Sequence, residues 1–177
     1  MRVSLSSLSI SGVGIYLPPT QSVVERASKF GANTQDYQGY QYVSIAKDED
    51  HPSSMAVTAL RKAMENAKVS SSQIKLLISC GISRDYLPSW SLATEVMQLL
   101  SFPPGCFGFD ITIGCLGTLT GLELAHSWLQ NQGGGYAAII NAERWNYTVD
   151  YKTAPDVFWG RSQRGICDFA VVALGWR

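Results

Sequence analysis

Apolar and polar positions change period several times along this chain, and each change predicts an element. Residues 9–17 form an apolar run interrupted by glycine and closed by Pro18 and Pro19, which predicts an opening strand. Residues 20–49 are mixed and polar, with Tyr37, Tyr40 and Tyr42, and predict a short helix among loops. Asp50 then offers a cap, Pro52 suits a first helical turn, and Ala56, Leu60, Ala63, Met64 and Ala67 recur at helical spacing until Ser70, Ser71 and Ser72 break the pattern. Residues 74–80 are continuously apolar, the pattern of a strand covered on both faces. After a loop over 81–89, residues 90–100 predict a helix with Leu92, Val96, Leu99 and Leu100 inward, stopped by Pro103, Pro104 and Gly105. A third buried strand is predicted over 107–113. Gly114 and Cys115 then open a helix running through Leu116, Leu119, Leu122, Ala125 and Leu129 to the glycines at 133–135. Residues 136–142 read as a fourth strand, 143–164 as irregular and aromatic-rich, and 167–174 as a fifth strand. There is no internal repeat and no low-complexity segment. The order βαβαβαββ implies an α/β layer fold, a sheet with helices on its faces, within one domain over 1–177.

Composition narrows the function class. The 177 residues are 46% hydrophobic and 16% charged, which suits one globular domain with a sizeable core and a surface poor in charge. Such a surface is compatible with a chain that buries much of its outside against a partner. Fourteen basic and 14 acidic side chains cancel with no basic run, so binding to nucleic acid is set aside. The four cysteines form no CxxC pair and there are two histidines, so no metal site is expected. The N-terminus makes a poor signal peptide, and no stretch approaches the roughly 18 apolar residues of a membrane span. A cytoplasmic, reducing setting with free thiols is the expectation.

The segment from Asp110 to Thr118 carries the candidate chemistry. It sets Cys115 at a strand-to-helix turn, with Gly114 and Gly117 small enough for substrate and backbone to approach. A thiol there faces the first amide groups and positive end of the following helix, a field that favours thiolate. The same amides suit an oxyanion formed when the sulfur attacks a thioester. Position alone is equally compatible with a helix-start cysteine that only packs. Cys80 and Cys167 lie in apolar strands and read as core, and Cys106 has no assigned role. His126 lies eleven residues after Cys115 on nearly the same helix face. At ~1.5 Å rise per residue that is about 16 Å away, out of hydrogen-bond reach, so it reads as an ordinary helix residue. His51 reads as a surface residue at a helix start.

Residues 108–125, GFDITIGCLGTLTGLELA, resemble the nucleophile region of β-ketoacyl-ACP synthase III. The resemblance continues in order: Gly12 to Pro18 with the family's opening strand, 48–57 with the start of its first long helix, Leu87-Pro88-Ser89 with its Pro-Ser loop, and 139–143 with a strand ending in Ala-Glu. It implies the N-terminal half of a thiolase fold, a five-stranded mixed sheet between helices, with Cys115 as acyl-accepting nucleophile. Where the family has Gly-Asp-Gly-Ala, this sequence has Cys167, Asp168, Phe169 and Ala170.

The family's catalytic His and Asn belong to the second half. The resemblance therefore implies either a partner chain supplying that half, a truncated chain, or lost chemistry. It also implies acyl-CoA or acyl carrier protein as donor, a dimer of such heterodimers with the Leu87 loop reaching across it toward the neighbouring acyl pocket, and no cofactor; a plain solvent loop is an equal reading of Leu87. Gly114, Arg144, Trp145 and Arg161 are candidate contacts for the substrate and its pantetheine arm, through a close-approach glycine, stacking and phosphate pairing. Two other readings stand beside a split acyltransferase: a non-catalytic acyl-binding or scaffolding subunit, and a thiolase or HMG-CoA-synthase-like enzyme. The short connection from Pro18 to the first long helix fits synthase III better.

Overall fold

The computed structural model describes residues 8–29, 31, 41–83, 87–144, 164–165 and 171–176. In chain order the elements are β1 (Leu8–Gly14), β2 (Thr20–Ser22), α1 (Val23–Lys29), β3 (Tyr42–Ser44), α2 (Pro52–Ala67), β4 (Ile74–Ser79), α3 (Leu92–Leu99), β5 (Phe107–Asp110), α4 (Gly117–Asn131), β6 (Gly135–Ile140), β7 (Arg164–Gly165) and β8 (Val171–Trp176). They fall into two compact units, one drawn from 1–16, 52–142 and 169–177, the other from 17–51 and 143–168.

The larger unit is a five-stranded sheet in the order β1-β8-β6-β4-β5, with β4, β5 and β6 parallel and β8 antiparallel to both its neighbours. Its element order is the βαβαβαββ expected. Strand alternation divides the core in two. Leu77, Ala138 and Ile140 face α2 and α3, where they meet Ala59, Leu60, Ala63, Leu92 and Val96. Leu76, Ile78, Ala137 and Ile139 face α4 at Ala125 and Leu129. A register shift between Ile74 and Leu76 puts Ile74 with the α2–α3 cluster, although its parity matches Leu76.

The close approach of α2 to the sheet follows from small residues on both sides. A Cβ on Gly12 would meet the backbone of Ala63 and, at 2.8 Å, the Ala67 nitrogen, while one on Gly14 would meet the carbonyl of Ala59. Asn66 Nδ2 donates to the Val13 carbonyl (2.8 Å) and Lys62 Nζ to that of Ile15 (3.0 Å), so α2 also binds the opening strand by hydrogen bonds. After α2, the serines do not simply break the chain. Ser70 N donates to Gln73 Oε1 (2.9 Å) in a capping box around a 3-10 turn over Ser71–Gln73. At the far end of α4, Gly133, Gly134 and Gly135 all take positive φ, and Lys75 Nζ donates to the Gly134 carbonyl at 2.8 Å.

Two expectations need correction. The strand expected over 107–113 ends at Asp110 and is an edge strand rather than a buried one. Among the described residues it pairs only with β4, and Phe107 stays 55% exposed. On α3 the buried stripe is Leu92, Ala93 and Val96 with Leu100 just beyond, so Leu99 falls at its flank and is exposed. The fifth strand is β8, which runs to Trp176, two residues past the expected end, and the departure from the family pattern at 167–170 lies outside the described residues.

The smaller unit holds a three-stranded sheet, β2-β3-β7, that the polar sequence over 20–49 did not announce. Val23 and Ala27 of α1 pack on Val43 and Ile45. Ile45 N donates to the Pro19 carbonyl (3.0 Å) and Asp50 Oδ2 accepts from Lys47 N (2.8 Å).

Candidate active site

The parallel strands β4, β5 and β6 bring their carboxyl ends to one edge of the sheet, where ligand sites of α/β proteins gather. Two backbone bonds fix that edge: Ile111 N to the Ser79 carbonyl (2.7 Å) and Cys80 N to the Ile140 carbonyl (2.8 Å). Cys115 follows β5 by five residues, in a 3-10 turn over Gly114–Leu116 that runs into α4. The turn depends on Gly114, whose φ of +65° is left-handed; nothing lies within 4 Å of the place a Cβ would take, so the demand there is conformational. Gly117 meets the backbone part of the expectation, a close approach of main chain. It is buried and faces the sheet rather than a substrate, and a Cβ on it would stand 2.8 Å from the Cys80 carbonyl. Gly121, one turn on, would meet Cys80 Sγ at 2.8 Å. The glycine pair seats α4 on β4 and thereby sets the height of the Cys115 turn over the sheet.

Cys115 is exposed, whereas Cys80 and Cys106 are buried. Burial, with a smaller contribution from the nearby Asp110 charge, pushes the Cys80 thiol up to about 12, and burial pushes Cys106 up to about 11. A thiol raised this far is almost wholly protonated near neutrality, and only the thiolate is a nucleophile. Brief labelling with iodoacetamide between roughly pH 7 and 8.5 is therefore expected to modify Cys115 and to spare Cys80 and Cys106 until the chain is denatured. Peptide mapping checks this, and early modification of either buried thiol would contradict it. Cys167 lies outside the described residues.

Two side chains missed by sequence reasoning hold this end of the sheet together. Asp110 accepts from both Leu92 N (Oδ2, 3.0 Å) and Ala93 N (Oδ1, 2.9 Å), and so satisfies the first two amides of α3. Asn141, just past β6, donates from Nδ2 to Thr118 Oγ1 (3.3 Å) in the first turn of α4. Both links are long in sequence, and no local spacing signals them. Leu116, the N-cap of α4, provides no side-chain cap.

The other expected site residues divide. Leu87 is 64% exposed on the loop before α3, and its carbonyl accepts from Trp90 N (2.9 Å). Arg144 does not stand at a surface mouth: its side chain is enclosed and donates from Nη1 to the Asp48 carbonyl (3.3 Å). Trp145 and Arg161 lie outside the described residues. His126 is buried in α4, and His51 is half-buried rather than on the surface. A surface cavity of about 410 Å³ runs along the end of α2, lined by residues such as Arg61, Lys68 and Gln73, and the Cys115 turn forms no part of its wall.

No protein-family model matches the chain. The β-ketoacyl-[acyl-carrier-protein] synthase III of Neisseria gonorrhoeae is 30% identical over 146 residues, which is 80% of this chain and 45% of that protein. An acyl-CoA:acyl-CoA alkyltransferase of Xanthomonas campestris pv. campestris is 35% identical over 115 residues, 62% of this chain and 34% of that one. Among solved structures, a histidine-to-alanine variant of OleA from Xanthomonas campestris superposes with a TM-score of 0.77 at 26% identity, over 96% of this chain and 56% of that one. The chain is homologous to the N-terminal half of the synthase III and OleA condensing enzymes. It has half of a thiolase fold, with the mixed sheet and flanking helices expected. It spans about half the length of the relatives it matches. Among the described residues no helix is long and apolar enough to cross a membrane, and no cluster of potential metal ligands occurs.

Proposed function

We propose that this chain is the nucleophile-bearing part of a thiolase-fold acyltransferase, with Cys115 accepting the acyl group. In the reaction, Cys115 Sγ attacks the carbonyl carbon of an acyl-CoA or acyl carrier protein thioester. The oxyanion collapses, the new C–S bond remains on Cys115, and the donor thiol leaves carrying the proton that Cys115 gave up. A carbon, hydroxyl or amine acceptor then takes the acyl group and releases Cys115. The observation that carries the reading is the setting of Cys115: exposed, in a glycine-dependent turn, at the carboxyl ends of parallel strands and at the amide end of a 15-residue helix. Relatives named for acyl carrier protein and acyl-CoA substrates support the donor class.

The partner part of the proposal rests on surface chemistry. Ile113, Leu116, Leu119 and Leu124 are exposed by 40 to 64% around the nucleophile turn and along α4, a grouping that soluble surfaces avoid unless something covers it. A complementary chain carrying the His and Asn of the second half is the proposed cover, in a dimer of such pairs across which the Leu87 loop reaches. Gly114 admits the thioester carbonyl to the turn. With Arg144 taken up at Asp48, Trp145 and Arg161 are the proposed contacts of the pantetheine arm. A cytoplasmic setting would keep the thiol reduced.

The test is mass spectrometry of the chain with its co-purifying proteins after exposure to acyl-CoA and acyl carrier protein thioesters of several lengths. An acyl mass on the peptide holding Cys115 is the expected result. A complex that forms but stays unmodified with every donor would replace the enzyme with an acyl-binding or scaffolding subunit.

A further inference from the structure

Asp110 stands where two parts of the larger unit meet. It is the last residue of β5, and four residues separate it from Cys115. Its carboxylate reaches back 17 and 18 positions to hold the first two amides of α3, and α3 begins directly after the loop that exposes Leu87. These are charge-assisted bonds near 3 Å to adjacent donors, which fix orientation as well as distance. Ile111 N is bonded to the Ser79 carbonyl at 2.7 Å, so the chain leaving Asp110 toward Cys115 is already pinned to β4. The amide end of α3 and the start of the nucleophile turn are therefore joined through one side chain.

A simple helix cap is available for comparison in the same helix. Ser91 is the N-cap of α3, and its hydroxyl accepts from Thr94 N at 3.3 Å. It satisfies the third amide of α3 as Asp110 satisfies the first two. Unlike Asp110, it comes from the loop itself, so losing it loosens α3 without releasing β5.

We propose that Asp110 is a positioning residue for acyl transfer, coupling the Leu87 loop and α3 to the Cys115 turn so that the two keep a fixed relation. The proposal rests on the reading of Cys115 as acyl acceptor, but its structural core does not need that chemistry. Asp110→Asn keeps the size of the side chain while removing the charge and one of the two acceptors; Ser91→Ala removes the neighbouring cap.

The experiment compares wild type, Asp110→Asn and Ser91→Ala in the full chain with its co-purifying proteins, by hydrogen exchange and by acyl loading. Asp110→Asn is expected to raise exchange together in 87–93 and 111–116, whereas Ser91→Ala raises it in 87–93 alone. Acyl loading of Cys115 is expected to slow by roughly tenfold in Asp110→Asn, since small misplacements of a reacting group carry large rate costs. Iodoacetamide, which needs no positioning, should label Cys115 at an unchanged rate. Equal exchange patterns in the two variants overturn the proposal and leave Asp110 as a helix cap. A paired rise in exchange without acyl loading in any chain, wild type included, supports the coupling and removes the reading on which its catalytic purpose rests.

Discussion

Cys115→Ala is expected to reduce acyl loading from near one acyl group per chain to background. The chain should stay folded, because Cys115 is exposed and the left-handed backbone of its turn is carried by Gly114, which the substitution leaves in place. Cys115→Ser should load far more slowly at neutral pH, because a hydroxyl ionises far less than a thiol. The contrast comes from the buried thiols. Cys80→Ala and Cys106→Ala remove sulfur from the two sheet cores, at a cost of about 1–2 kcal/mol each, but neither thiol supplies appreciable thiolate, so loading should survive. Intact-mass measurement over a time course, with thermal melts of each variant, separates chemistry from folding. Loading that persists in Cys115→Ala, or disappears in Cys80→Ala at unchanged stability, sinks the assignment.

The exposed leucines around the nucleophile bear on where such loading will be seen. Leu116 and Leu119 read in the sequence as members of one helical stripe with Ala125 and Leu129. The structure separates them: Ala125 and Leu129 are fully buried, whereas Leu116 and Leu119 are 60% and 64% exposed. The reason is geometric. Gly117 and Gly121 face the sheet, where only glycine clears Cys80, and residues 116 and 119 lie on the opposite side of α4. An amphipathic pattern cannot distinguish a face meeting its own sheet from a face meeting something else, since both are apolar. Thioester attack needs water excluded from the reacting centre, and a turn flanked by exposed leucines gains that exclusion only when covered. Loading is therefore expected to be strongest in the fraction of the preparation that carries a partner.

Periodic and continuous segments are legible in the amino-acid sequence itself. The buried strand β4, the helix α2 from its Pro52 start, and the glycine stop of α4 follow from local chemistry, and their order implies the layer arrangement. The cysteine turn is also legible, because a thiol between glycines at a strand end is a local pattern. Contacts that join distant segments are not. Asp110 in the sequence is merely one position of a strand expected to run on to 113; its partners Leu92 and Ala93 are unremarkable helix residues whose backbone, not side chains, makes the bonds. The small sheet of β2, β3 and β7 is hidden for the same reason, since β7 arrives from more than a hundred residues beyond β3. Phe107 and Phe109 suggest burial by composition, yet strand order leaves β5 at an edge, and strand order is not written in one strand.

Gly14→Val is expected to remove most of the folded protein, a far larger structural effect than any change at the nucleophile turn. A Cβ at 14 would run into the carbonyl of Ala59 and stand 3.0 Å from Lys62 Cβ. The first of these is helix backbone, which cannot rotate aside as a side chain can, so α2 would have to move as a body. That movement would open the cluster in which Ala59, Leu60 and Ala63 meet the sheet. It would also strain the bonds from Asn66 and Lys62 to Val13 and Ile15. Overpacking a core typically costs about 1–3 kcal/mol even where neighbours adjust. Here the obstacle is main chain and valine adds two further methyl groups, so a loss of about 4 kcal/mol or more is expected, against a total stability of order 5–15 kcal/mol for a domain. Gly14→Ala should give an intermediate loss, and Gly105→Ala should be close to neutral, because nothing lies within 4 Å of the Cβ it would gain. Denaturant midpoints for the three variants test the ordering. Equal stability of Gly14→Ala and Gly105→Ala would mean that α2 can shift from β1 at little cost, and that the small-residue contact is not what fixes this helix on the sheet.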